Sequence, residues 1–187
     1  MSGPTIVPFF GKGPRIHDSA FVAPGACLIG DVEIGPDASV WYNCVLRGDI
    51  NRIVVGARAN LQDGAIVHVE APRAGSDGSP VIVGEDALVG HMAILHGCVL
   101  DDHAFVGMGA IVMDDCRVGS GAMLAAGAML TPGKAIPAGE LWAGRPARLM
   151  RTLSEAEIDA MRAQSLHYVE NARRHRNALH RRDASAS

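Results

Sequence analysis

Aliphatic residues recur along this chain at every sixth position. They fall at Ile16, Val22, Leu28, Ile34, Val40 and Leu46 without a slip. After a three-residue insertion around Asp49–Arg52 the frame resumes at Val55, Leu61 and Val67. A longer insertion, EAPRAGSDGSP, precedes Val83, Val89 and Leu95. One residue is then lost, and the frame runs through Leu100, Val106, Val112, Val118, Leu124, Leu130, Ile136 and Trp142. The fifth position of each repeat is almost always small, as at Ala26, Ala38, Cys44, Ala65, Ala93, Ala110 and Ala128.

A period of six is neither the 3.6 of an amphipathic helix nor the 2 of a half-buried strand. It fits short strands joined by tight turns, the aliphatic residue pointing inward and the small one at the corner. A β-sandwich would need turn signals about every 8–12 residues, and the chain has none in that rhythm. The pattern predicts an all-β solenoid over 16–147, with 1–15 as a capping segment. Beyond Trp142 the character changes. Ser154-Glu155-Ala156-Glu157 is a capping box, followed by strong helix formers with no Gly or Pro through Arg182. This predicts a C-terminal region over 148–182 built on a helix from about 154 to 180, with 183–187 disordered.

Stacking the repeats three to a coil brings chemistry together. Leu46, Val67 and Leu95 then begin the third face of three consecutive coils, and the outward residues that follow are Arg47, His68 and His96. Coils of a parallel solenoid lie about 4.8 Å apart, which lets two stacked imidazoles share one metal ion at roughly 2.0–2.1 Å. A third histidine, His91, belongs to the second face, one coil above Asp63. Outward side chains on two faces of a convex prism diverge. A closed, symmetric trimer pressing the third face of one subunit onto the second face of the next would unite all three, so the histidines predict the oligomer. His17, His103, His167, His175 and His180 read as solvated or local.

Composition narrows the functional classes. The 187 residues suit one domain, and 48% apolar content with only 4% aromatics implies a core of small side chains. A net charge of −3 gives no reason to expect nucleic acid or an acidic membrane as partner. The basic tail, Arg173 to Arg182, suits a helix C-terminus. Cys27, Cys44, Cys98 and Cys116 form no C-x-x-C pair, which favours a reducing cytoplasm over a disulfide scaffold. Neither a signal peptide nor a membrane span is expected.

Arg47-Gly48-Asp49, Asn60-Leu61-Gln62-Asp63, His68, and Gly90-His91 with His96 resemble the signature of gamma-class carbonic anhydrases, hexapeptide-repeat proteins, over roughly residues 10 to 180. The resemblance implies a left-handed parallel β-helix with a C-terminal α-helix, a homotrimer, and a metal between subunits. His68 and His96 would come from one chain and His91 from the next. The ion would be Zn²⁺, with Fe²⁺ or Co²⁺ open, since three imidazoles suit them all. Three histidines leave a position for water, whose pKa zinc brings near 7, and attack on CO₂ would give bicarbonate. In the same carry-over Gln62 and Asn60 orient substrate or water. Arg47 and Asp49 pair across the interface. Asp63 binds or orients His91, or meets an arginine, and Tyr168 reaches a neighbouring pocket.

One departure stands out. The best-known active members of that family carry an acid directly after the Arg-Gly-Asp aspartate and a glutamate-rich loop for proton export, while many relatives share the shortened form seen here. Here Ile50 follows Asp49, and the insertion after His68 offers only Glu70 and Asp77. Slow turnover is the expectation. Three rival functions share the fold: an acyltransferase using acyl-CoA, a metal-stapled non-catalytic scaffold, and a hydrolase of small esters or thioesters.

Overall fold

The computed structural model describes the backbone of residues 3–185 and the side chains of residues 3–181. The six-residue frame becomes a parallel β-helix. Two-residue strands dominate, and those inside the stack pair in parallel with the strand one coil below and one coil above, as Leu88–Val89 does with Asn60–Leu61 and Phe105–Val106. One column on the third face runs through Val45–Val55, Ile66–His68, Ile94–His96, Ile111–Val112 and Met129–Leu130. The second-face column ends in the antiparallel hairpin of Glu140–Gly144 with Ala147–Thr152.

The inward aliphatic residue of nearly every repeat joins one continuous core, from Leu28 through Leu61 and Leu95 to Ile136. The small fifth-position residues, Ala38, Ala65, Ala93 and Ala122 among them, are fully buried at the corners. Corners also demand left-handed backbone, and non-glycine residues supply several of them: Asn43 at φ 60, Met92 at φ 59 and Asp115 at φ 58. At the start of the chain, Thr5–Val7 adds one more strand beside Cys27–Ile34.

The helix spans Glu155–Ser185, so it continues past Arg182 into the segment expected to be disordered; positions 186 and 187 of that segment lie outside the described residues. Helix formers without Gly or Pro run on through Ala184, and nothing in the sequence stops the helix earlier. It lies along the second face. Met161, Ser165 and Ala172 are buried, with Ile158, Tyr168 and Leu179 partly so, a spacing of three and four that marks one stripe. Arg58 grips Asp86 bidentately at 2.9 and 2.7 Å, and Ser165 Oγ donates to the same carboxylate at 3.2 Å. Arg176 donates to the carbonyls of Ser19 and Ala20. His175, expected to be solvated or local, instead packs edge-on against Trp41, with centroids 4.9 Å apart, and its Nδ1 lies 2.9 Å from the Tyr42 hydroxyl. Aromatic packing holds it there, a contact that no repeat register announces. No helix among the described residues is long and apolar enough to cross a membrane.

Two expectations follow. Leu124 is fully buried far from the histidines, so Leu124→Ala should cost about 2–5 kcal/mol in denaturant unfolding. The second concerns the capping box. The Arg151 guanidinium, followed by the Ser154 N–H and hydroxyl, holds the Glu157 carboxyl down at about 2. A folded-state pKa below the unfolded one gives stability that is complete above about pH 4.5 and is lost as pH falls toward 2. Glu157→Gln should remove that part of the acid dependence of the thermal midpoint and lower the midpoint at neutral pH.

Candidate metal centre

Register builds the site. His68 and His96 are direct partners between adjacent parallel strands, and Arg47 is the partner of His68 one coil below. Because Val67 and Leu95 point inward, the histidines on either side of the pleat point out. Their rings lie 5.1 Å apart between centroids, and His68 Nδ1 faces His96 Nε2 at 3.1 Å.

Each ring has a carboxylate at its other nitrogen. His68 Nε2 lies 3.1 Å from Asp49 Oδ1, and His96 Nδ1 lies 2.5 Å from Asp114 Oδ1. A neutral imidazole carries one N–H, and a carboxylate can only accept. The two protons therefore go to the two carboxylates, and the nitrogens left facing each other are both bare lone pairs. A pair of lone pairs at 3.1 Å needs a cation between them. Two ligands of a tetrahedral ion with bonds near 2.0–2.1 Å are separated by roughly 3.3–3.4 Å. The donor set fits a metal ion at little cost in movement.

Electrostatics at the pair point the same way. Burial pushes the His68 imidazole below its ordinary value; Asp49 opposes this, while the charge of Arg47 and the neighbouring His96 reinforce it. A depressed pKa keeps the ring neutral and ready to donate a lone pair. Burial raises the Asp49 carboxyl, but hydrogen bonds from Arg47, at 2.6 Å, and His68 outweigh it and hold the group below the usual carboxylate range. Within the chain, then, Arg47 pairs with the aspartate of its own Arg-Gly-Asp.

The remaining residues gather on the next face. His91 Nδ1 lies 2.9 Å from Asp63 Oδ2, one coil below it. Gln62 and Asn60 are buried on that coil. Both side-chain atoms of Asn60 lack any hydrogen-bond partner, which is costly for a group with no solvent exposure. Tyr168 packs edge-on against Trp41, and its hydroxyl is held above its ordinary pKa by burial and by the charge of Asp63. Among the described residues, no three metal-binding side chains converge within one chain. The structure thus brings Arg47, Asp49, His68 and His96 into one cluster, and places His91, Asp63, Gln62, Asn60 and Tyr168 around the adjoining face.

Asp114 is the site residue that the repeat analysis overlooks. It follows the outward position, at the corner of the coil above His96, and a reading of outward columns passes it by. The signal was Gly97, directly after His96: a Cβ there would sit 2.5 Å from Asp114 Oδ1.

The model of the family described as "Bacterial transferase hexapeptide (six repeats)" matches residues 13–48. "Gamma carbonic anhydrase 2, mitochondrial" of Arabidopsis thaliana is 43% identical over 171 residues, which cover 91% of this chain. The chain spans 62% of that relative's length. A "Carbonic anhydrase" of Geobacillus kaustophilus is 39% identical over 181 residues, covering 97% of this chain and 96% of that one. The chain belongs to the gamma carbonic anhydrase-like family of hexapeptide-repeat proteins. Among solved structures, a hexapeptide transferase family protein from Anaplasma phagocytophilum superposes with a TM-score of 0.84 at 44% identity, covering 90% of this chain and 96% of that one. Gamma carbonic anhydrase-like membership accounts for the fold, and the carboxylate-backed histidine pair is the feature of this chain that carries chemistry. The three buried thiols do not: burial pushes Cys44 up to about 12 and also raises Cys98 and Cys116.

In the metal-free protein His68 should titrate below pH 6.5 in an NMR pH series. Arg47→Gln removes a nearby positive charge and frees Asp49 for the ring, so the midpoint should move upward. Protonation of a group with a depressed pKa opposes folding, so this contribution to stability is present above 6.5 and lost as pH falls through the folded value.

Proposed function

We propose that this protein is a metal-dependent carbonic anhydrase of the gamma class, interconverting CO₂ and bicarbonate at a site completed by a homotrimer. The observation that carries this is the pair of bare imidazole nitrogens, 3.1 Å apart, each ring held by its own carboxylate. In this reading His68 and His96 of one subunit and His91 of the next hold Zn²⁺, with Fe²⁺ and Co²⁺ as alternatives. A bound divalent cation acts as a Lewis acid and brings the pKa of water near 7.

The chain's own residues do the rest. His91, Asp63, Gln62 and Asn60 share one face, so the subunit that donates His91 also delivers the amides. In this reading Gln62 orients water or CO₂, and the amide of Asn60, which has no hydrogen-bond partner of its own, holds Gln62. Around the histidines the surface is apolar where a monomer would have no use for it: Ile66 is 45% exposed, Met92 66% and Met108 58%. Such patches mark interfaces, and this one supports the trimer. Proton export is weakly provided for, because Glu70 is paired with Arg73 at 2.9 Å, and slow turnover is the consequence. Cys44, Cys98 and Cys116, buried and unpaired in disulfides, accord with a cytoplasmic location.

The transferase name on a similar structure keeps acyl transfer as the rival. A transferase base needs one free histidine nitrogen beside an acceptor, whereas two mutually facing lone pairs serve a cation. Metal content per subunit, measured on anaerobically purified protein with CO₂ hydration on the same sample, tests the proposal. About one ion per chain, with hydration that chelation abolishes and metal restores, is expected. Metal without hydration would leave the scaffold or ester-hydrolysis function; no metal after reconstitution would return acyl transfer to the front.

A further inference from the structure

We propose that Asp114 is the positioning residue of the metal centre: it fixes His96 as the Nδ1–H tautomer and thereby makes Nε2 the atom that binds metal. This rests on the metal reading above. Asp114 lies outside every motif that marks the family in this sequence, and it reaches His96 from the coil above rather than from a neighbouring position in the chain.

Three observations build the contact. First, Asp114 Oδ1 lies 2.5 Å from His96 Nδ1, closer even than the roughly 2.7–2.9 Å of a charge-assisted N–H···O hydrogen bond. Secondly, position 97 leaves the path open. Gly97 stands at φ +51, and a Cβ there would lie 2.5 Å from Asp114 Oδ1 and 3.0 Å from Ser79 Cβ, so any side chain would push the carboxylate off the ring. Thirdly, the segment bearing Asp114 is anchored on both sides. The Asp115 N–H donates to the Gly97 carbonyl at 2.8 Å, and the Gly133 N–H donates to the Asp114 carbonyl at 2.9 Å. Ser79 Oγ donates to Asp115 Oδ1 at 2.5 Å. Ser79 closes the long insertion, whose two ends are tied together by Asn51 Nδ2 donating to the carbonyls of Glu70 and Asp77. An insertion with few acids to offer for proton export is thus built into the brace that sets the direction of His96.

The consequence is chemical as well as geometric. A carboxylate accepting from one imidazole nitrogen makes the other more basic and locks the ring's angle, and loss of such a partner weakens metal binding about 10–100-fold. Asp49 stands in the same relation to His68, and Asp63 to His91. Asp114 completes the set, one carboxylate for each histidine.

The test uses the full chain. Zinc and cobalt affinity of the parent and of Asp114→Ala is measured by chelator competition, and the His96 tautomer is read by ¹⁵N NMR on metal-free protein. The expected result is affinity lower by about 10–100-fold, with the His96 signal moving from the Nδ1–H form toward a tautomer mixture. Circular dichroism should be unchanged. Asp114→Asn, which keeps the shape and an acceptor but not the charge, should shift affinity the same way by less; it serves as the second variant if the alanine protein misfolds. A parent that binds metal, with both variants binding equally well and an unmoved tautomer, overturns the role of Asp114 alone. A parent that takes up no metal overturns the metal reading and this proposal together.

Discussion

Hydrogen bonds from each coil to the next are what the rest of this molecule depends on. Within the stack a strand's backbone is satisfied by the coils above and below it, as Gly90 N–H is by the Val106 carbonyl and Gln62 N–H by the Val89 carbonyl. Buried backbone groups tolerate no gap in such a ladder. The period is therefore locked, and each outward position becomes part of a column. That is why residues 28 apart in sequence, His68 and His96, meet as neighbours. The two insertions leave the column intact because they leave the coil at a corner and return to it in register, so that Arg47 still stacks below His68.

A ladder of this kind also explains where the sequence was legible and where it was silent. The core, the parallel coils and the helix that follows could all be read, because a strict period and a capping box are local signals. The facing of His68 and His96, and of His91 with Asp63, followed from counting. Asp114 did not, because a corner residue's direction depends on backbone that turns left-handed at Asp115, φ 58, and on the missing side chain at Gly97. Nor did the pairing of Tyr42 with His175, a contact spanning 133 residues that depends on how the helix settles on the second face. Periodicity fixes what repeats, and the helix occurs once.

The helix has a further bearing on the site. It packs Tyr168 and Ala172 against Phe21 and Trp41 of the second face, the face on which Asn60 and Gln62 are also buried. The third face is left open. A subunit thus has one face prepared by its own helix and another that ends in exposed isoleucines beside two histidines. In the proposed trimer these are unlike surfaces brought together head to tail, the arrangement that closes into a ring. The proposed division of the ligands between subunits agrees with convexity: a helical prism cannot aim two outer faces at one point, and a neighbour can.

Charge gives the division a second reason. In the proposed centre Asp49, Asp63 and Asp114 would each hold one of three imidazoles, with Arg47 bonded to Asp49. With the histidines neutral, that set carries an excess of negative charge equal to the charge of one divalent ion. Burying such an excess at an interface without compensation is expensive, whereas a divalent cation makes the buried cluster neutral. The carboxylates that direct the rings would then also favour a doubly charged ion over a single proton shared between His68 and His96. Orientation and charge are two effects of the same three residues, and under the proposed function both favour a centre that needs metal and neighbouring subunit together.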